Sequence, residues 1–201
     1  MRFIRPFLFS GFLYPEALFR IKTGNKILYL TFDDGPDPQS TPALLGILDN
    51  YNVKAMFFCT GQAVEKYPEL LSEIRRKGHL VGNHGYAHLD GWKTSVDEYL
   101  TDVNKAAGLT SDTLFRPPYG HLRINQYRHL KRKFKIIFWD IMPYDFDSEF
   151  TPSLSLELLK KKIRPGSIIV LHDSADSSSK CFLEEFIETS INIGYRFEIG
   201  F

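Results

Sequence analysis

Short apolar runs alternate with amphipathic stretches along most of this chain. Runs rich in aliphatic and aromatic residues occupy 27–32, 55–60, 79–83, 134–140, 167–172 and 195–199, each of strand length. Between them, periodicity and terminal signals predict helices over 41–51, 68–77, 95–107, 123–133, 152–163 and 181–193. Pro42 stands in the first turn of the first of these, where its missing N–H does no harm. Ser95-Val96-Asp97-Glu98 reads as a capping box, and Gly78 and Gly194 stand as helix stops. Lys160, Lys161 and Lys162 fall in a last turn, favourable to the helix dipole, and read as a solvated face. Alternation of strand and helix calls for parallel strands with right-handed crossovers, hence an α/β fold. No internal repeat, low-complexity tract or linker interrupts it.

The polar residues that end the apolar runs carry the chemistry. Thr31-Phe32-Asp33-Asp34-Gly35-Pro36-Asp37 places two adjacent carboxylates before a Gly-Pro turn. Neighbours on a strand point to opposite sides, but at its end a turn can bring both acids to one pocket. Asn83-His84-Gly85-Tyr86-Ala87-His88 sets two imidazoles four residues apart, on one side of a helical turn, a spacing that suits two ligands of one metal ion. With Asp34 they make a two-histidine, one-carboxylate set with open positions for water; zinc is the default metal, cobalt and nickel the alternatives. Phe115-Arg116-Pro117-Pro118-Tyr119-Gly120 is a stiff loop whose arginine can pair with a carboxylate and orient it. Ile168-Ile169-Val170-Leu171-His172-Asp173 ends a strand in a histidine, a credible general acid beside a metal site.

Taken singly, each segment has a plain reading: a polar turn, two surface histidines, an exposed connection, a structural histidine. Together, Asp33-Asp34, His84 and His172 fall at the C-terminal ends of strands, where a β/α barrel gathers its site. Such a set answers the difficulties of amide hydrolysis. A metal lowers the pKa of water towards ~7 and polarises the carbonyl. A carboxylate takes the proton, a backbone donor holds the oxyanion, and a histidine protonates the leaving nitrogen. A base and an acid acting together predict a bell-shaped pH dependence.

In their order, TFDDGPD, HGYAH, RPPYG, WDIMPYDF and IVLHDS resemble the polysaccharide deacetylases of the NodB-homology type, carbohydrate esterase family 4. The resemblance covers nearly the whole chain, from Lys26 to Phe201. It implies a distorted (β/α) barrel and a metal-dependent hydrolase that removes N-acetyl groups from N-acetylglucosamine-containing glycans such as peptidoglycan or chitooligosaccharides. By the same resemblance Asp33 is the general base, and Asp34, His84 and His88 hold the metal. Arg116 holds Asp33, the backbone N–H of Tyr119 helps bind the oxyanion, and His172 protonates the amine. Asp145 falls where the family has an Asp-Trp pair and is expected to orient His172, with Asp140 as the alternative. Leu171, Trp139, Pro117 and Tyr86 are expected to line the substrate pocket. Two positions depart from the family pattern: Gly85 stands where Ser or Thr is usual, and Phe146 where Trp is usual.

Composition narrows the picture further. A chain of 201 residues with 43% hydrophobic content suffices for one domain with a substantial core. A net charge of +1 gives no electrostatic case for nucleic acid. Cys59 and Cys181 have no paired spacing and imply no disulfide framework. Residues 1–25 read as an N-terminal apolar segment ahead of a catalytic domain over 26–201. Their start has the flavour of a signal sequence, but Pro6 breaks the run, no A-x-A-like cleavage site follows, and the run is too short to span a bilayer. The expectation is an uncleaved segment packing on the domain, with membrane contact by residues 1–14 disfavoured. A cytoplasmic monomer is favoured over a secreted or envelope protein, although many members of the resembled family are secreted. Tyr86, Tyr119, Trp92 and Tyr144 are candidate sugar-stacking rings, and the loop over 174–179 is expected to be mobile and to border the site. Rival readings are the same site acting on an O-acetyl ester or another amide, a non-catalytic glycan-binding relative, and a metal-stabilised structural domain.

Overall fold

The computed structural model describes residues 10–200. Strands β1 (Ile27–Asp34), β2 (Met56–Cys59), β3 (Leu80–Asn83), β4 (Leu114–Phe115), β5 (Lys135–Ile136), β6 (Ser167–His172) and β7 (Arg196–Phe197) form one sheet. The helices are α1 (Ser10–Leu13), α2 (Thr41–Asn50), α3 (Gly61–Lys66), α4 (Pro68–Arg76), α5 (Val96–Ala107), α6 (Ile124–Leu130), α7 (Pro152–Lys162) and α8 (Ser179–Asn192). The strand order is β5-β4-β3-β2-β1-β6, with every pair parallel. β7 pairs with Ile27 and Leu28, the start of β1, below the stretch that β2 covers.

The sheet curls into a distorted barrel. Along β1, Leu28, Leu30 and Phe32 pack outward with Leu44, Leu48, Phe182 and Phe186 of the helices. Ile27 and Tyr29 face inward with Met56, Phe58 and Ile168. This two-residue alternation lets one strand bury both faces and explains its unbroken apolar composition.

Closure of the barrel differs from the strand expected over 134–140. Only Lys135 and Ile136 lie in β5, paired to β4. The chain then crosses to the opposite edge, where Ile141 bridges to Ile169 of β6. The carbonyls of Ile137 and Phe138 are drawn instead to the guanidinium of Arg116, through Nε at 3.3 Å and Nη2 at 3.0 Å. A side chain thus takes the place of a ladder in the gap between β5 and β6.

Other differences are local. α3 went unforeseen, its six residues being too few to show a period; Thr60 caps it by accepting from the Ala63 N–H. Residues 14–21, assigned to an N-terminal segment, pack on the domain. Phe19 stacks on Phe138 at 4.7 Å, and the Leu18 N–H donates to the Ile136 carbonyl. Residues 1–9 lie outside the described residues, and no described helix is long and apolar enough to cross a membrane. Cys59 is buried and Cys181 exposed, and neither is in a disulfide.

Arg116 is fully buried, so its loss strands several partners at once. Arg116→Met leaves Asp33, Thr31 and two carbonyls without their donor, and should lower unfolding free energy by about 3–5 kcal/mol, measured by urea denaturation.

Candidate active site

The two carboxylates at the end of β1 serve one cavity through a break in strand alternation. Asp33 keeps the inward direction of Ile27 and Tyr29. Asp34 follows it and by alternation would point to the helices, but its φ of 80° turns it back. A left-handed backbone at a non-glycine residue is uncommon, and Asp is among the residues that accept it. Arg116 Nη1 donates to Asp33 Oδ1 at 2.7 Å and to Thr31 Oγ1 at 2.6 Å. The guanidinium also lies over the Phe58 ring, 4.2 Å from its centroid. Asp33 is therefore held by one oxygen, leaving Oδ2 for other partners. Behind it, the Asp173 N–H donates to the Asp33 carbonyl, and Thr41 Oγ1 donates to Asp173 Oδ2 at 2.7 Å. Burial pushes Asp173 up to about 7 even with that hydrogen bond.

His84 and His88 do not sit on a helical turn. They lie on an irregular loop after β3, with φ of 75° at Gly85 and 54° at His88. Four-residue spacing brings the rings together nonetheless, with centroids 5.0 Å apart. His84 Nδ1 faces the Arg116 carbonyl at 2.8 Å, which assigns the ring proton to Nδ1 and leaves the Nε2 lone pair free. Asp34 Oδ1 lies 3.5 Å from His84 Nε2 and 3.2 Å from His88 Nε2. Burial opposes its charge, but the nearness of the His84 and His88 imidazoles outweighs it and holds the carboxyl well below the usual range.

Ligand atoms of Asp34, His84 and His88 all lie within 4.8 Å of one another, the one such group among the described residues. Asp34 Oδ1 is buried and accepts no hydrogen bond. An orphaned carboxylate oxygen beside two free imidazole nitrogens fits a divalent metal.

The loop carrying these histidines is fastened by a residue that the sequence did not single out. Asp102, buried on α5, accepts the Tyr86 N–H at 2.7 Å and the Ala87 N–H at 2.9 Å, one on each oxygen. Asn83 Oδ1 accepts the Gly85 N–H at 2.8 Å. A Cβ at Gly85 would lie 2.8 Å from Asp102 Oδ2. Gly85 and Asp102 therefore form one arrangement, and the glycine leaves room for the carboxylate that braces the loop. The sequence signal was a lone acid three positions past Tyr99, on the buried side of an amphipathic helix.

On the opposite wall, His172 ends β6. Asp145 Oδ1 lies 3.0 Å from His172 Nδ1, and Oδ2 accepts the His172 N–H at 2.7 Å. Asp140 is engaged elsewhere, with Arg164 and with Ser167 Oγ at 2.7 Å. Burial disfavours the imidazolium, yet Asp145 more than compensates, with help from Asp34 and Asp33, and lifts His172 to about 9. Phe146 meets the ring edge-on at 4.7 Å. The serine loop, expected to be mobile, is tied down at this point. Ser177 Oγ donates to Asp145 Oδ2, the Ser178 N–H to the Asp145 carbonyl, and Ser179 Oγ to the His172 carbonyl.

Asp33, Asp34, His84, His88 and His172 line one cavity of about 370 Å³, together with Pro117, Tyr119, Trp139 and Val170. Two expected lining residues are elsewhere. Leu171 is fully buried in the outward-facing core, because on β6 it alternates with Val170 and His172. Val170 takes the pocket position. Tyr86 lies outside the cavity: its hydroxyl donates to Glu65 at 2.6 Å and its ring sits under Lys105 Nζ at 3.2 Å. Tyr144, a candidate stacking ring, is buried. Tyr119 sits at φ 59°, in a turn closed by hydrogen bonds from the Gly120 and His121 N–H groups, which leave its own N–H out.

A candidate metal donor set, a held carboxylate and a histidine–aspartate pair face one cavity, the combination of groups that metal-assisted hydrolysis calls for. The comparisons agree on the lineage. The polysaccharide deacetylase family model matches residues 20–139. A curated peptidoglycan-N-acetylglucosamine deacetylase of Bacillus cereus is 35% identical over 72% of this chain and 55% of its own length. The chain thus spans about half of that relative. A solved peptidoglycan N-acetylglucosamine deacetylase superposes with a TM-score of 0.85 at 30% identity, over 91% of this chain and 90% of that one. A pseudoenzyme of carbohydrate esterase family 4 from Bacillus anthracis superposes with a TM-score of 0.80 at 25% identity, over 91% and 66%. This chain belongs to the polysaccharide deacetylase family, and its barrel is the NodB-type distorted barrel of that family.

Asp102 should matter to the metal more than to the fold. Asp102→Ala should weaken zinc binding by about 10–100-fold in chelator competition, with far-UV circular dichroism unchanged. Gly85→Ser, which restores the residue usual in the family, should weaken binding too, since its Cβ meets Asp102.

Proposed function

We propose that this chain hydrolyses the N-acetyl group of an N-acetylglucosamine-containing glycan, peptidoglycan or a chitooligosaccharide, using a divalent metal held by Asp34, His84 and His88. One observation carries the reading: the donor set shares a single cavity with Asp33, held by Arg116, and His172, held by Asp145. Since a pseudoenzyme shares the fold, these side chains and not the barrel support an activity. The named activity of the peptidoglycan relatives supports the substrate class.

The metal, zinc by default, supplies a Lewis acid that lowers the pKa of water and polarises a carbonyl. Asp33 takes the proton of the attacking water on Oδ2, because Arg116 occupies Oδ1. The water oxygen bonds to the acetyl carbon, and the Tyr119 N–H faces the resulting oxyanion. His172, with Nδ1 turned to Asp145, gives the Nε2 proton to the amide nitrogen as the C–N bond breaks. Acetate and a free amine result. Val170, Trp139 and Pro117 form the apolar wall that accepts the methyl group.

The direct test is acetate release from N-acetylglucosamine oligomers, peptidoglycan and acetylated xylan, with and without zinc. Zinc-dependent release from the first two, lost by at least about 10²-fold in Asp33→Asn with metal content retained, is the expected result. Release from xylan alone would replace the amide reading with an ester one.

His172 also predicts a pH dependence. Its folded pKa of about 9 lies above the ordinary value of 6.5, so the protonated pair with Asp145 stabilises the fold below pH 6.5. That contribution is lost as pH rises to about 9. In metal-free protein, urea stability should fall across this window, and the fall should shrink in Asp145→Asn. In the zinc-loaded enzyme the same variant should move the basic limb of kcat to lower pH, because the imidazolium loses its partner.

A further inference from the structure

Ring contacts do not stop at the edge of the cavity. His88 meets Tyr119 edge-on at 4.5 Å, and Tyr119 lies 5.8 Å from His121. His121 lines the cavity, and Trp92 stacks on it at 3.6 Å with the planes 9° apart. From the proposed metal ligand outward, the rings form a continuous ledge that ends in an indole. One face of Trp92 is covered by His121, while the residue as a whole remains 54% exposed; Tyr119 remains 59% exposed.

The ledge is held rigidly. Asp90 Oδ1 accepts the main-chain N–H of Trp92 and faces His121 Nδ1, each at 2.9 Å, so one carboxylate fixes the backbone that carries one ring and the edge of the other. Arg123 donates to the Trp92 carbonyl. Gln126, fully buried, donates from Nε2 to the Gly91 carbonyl at 2.9 Å. Gly91 has no room for a side chain, since a Cβ would run into the His121 carbonyl. Single exposed apolar residues are ordinary on protein surfaces. A large ring fixed by its neighbours, belonging to none of the core clusters and continuous with the candidate active-site cavity, is a different case.

We infer that Trp92, backed by His121, is a saccharide subsite that stacks on the apolar C–H face of the pyranose next to the one being deacetylated. The substrate is then an oligosaccharide or polymer, not a monosaccharide. Asp90 and Arg123 position the platform, and because the rings are already ordered, little conformational entropy is lost on binding. This inference rests on the deacetylase reading of the cavity but is testable apart from it.

The probes are N-acetylglucosamine oligomers from monomer to pentamer. In the zinc-loaded wild type, kcat/KM should rise by about tenfold or more from monomer to pentamer, as one stacked ring contributes. Trp92→Ala should lower that pentamer-to-monomer ratio by about tenfold, and Trp92→Tyr should restore most of it. In parallel, calorimetric binding of the pentamer to Asp33→Asn should weaken by about tenfold when Trp92→Ala is added. A ratio unchanged by Trp92→Ala, or equal pentamer affinity with and without Trp92, overturns the subsite. No acetate release from any oligomer overturns the reaction instead, and the calorimetric comparison then decides the subsite alone.

Discussion

Burying a guanidinium without partners costs several kcal/mol, and Arg116 is completely out of water. Its compensation organises much of the molecule. Two of its nitrogens reach the carbonyls of Ile137 and Phe138, and the third serves Thr31 and Asp33. The strand end at Asp33 and the crossing segment after β5 are therefore joined through one side chain across the barrel interior. Its main chain works as well: the N–H donates to Asn83, and the carbonyl receives His84 Nδ1. A single residue thereby closes the barrel, holds the proposed base by one oxygen and sets the tautomer of a proposed metal ligand.

The two histidine-bearing walls follow a common rule. In each, a buried carboxylate has both oxygens filled: by two main-chain N–H groups for Asp102, and by the His172 N–H, the His172 ring and the Ser177 hydroxyl for Asp145. Asp102 does this for the loop between His84 and His88, and Asp145 for His172 and the serines behind it. A buried carboxylate satisfied in this way fixes its donors in direction and distance, whereas a half-satisfied one would destabilise the fold. That requirement accounts for Gly85, where a larger residue would intrude on Asp102. It also accounts for the order of the serine loop, since Ser177 and Ser178 complete the partners of Asp145.

What was legible in the sequence was whatever depends on local order. Strand–helix alternation gave the parallel α/β class, because period and length are properties of a short segment. The polar residues at strand ends were readable as a cluster, because parallel strands bring their C-terminal ends to one side. Spacing alone brought His84 and His88 together, although the helical turn assumed for them is absent. The resemblance of five motifs supplied the placement of Asp145, which no local pattern distinguishes from Asp140.

Tertiary structure decided the rest, and in each case the reason is a contact between segments distant in sequence. Leu171 and Val170 exchanged places because register, not composition, determines which face of β6 meets the cavity. Tyr86 was drawn outward by Glu65 and Lys105. Asp102 became the brace of the His84–His88 loop only once α5 packed under it, and Trp92 became the proposed platform only once His121 stacked behind it. The sequence by itself determined which chemical groups are available and on which ends of which strands. Packing decided their directions and partners, since those depend on which buried charges and hydrogen-bond donors must be satisfied across the fold.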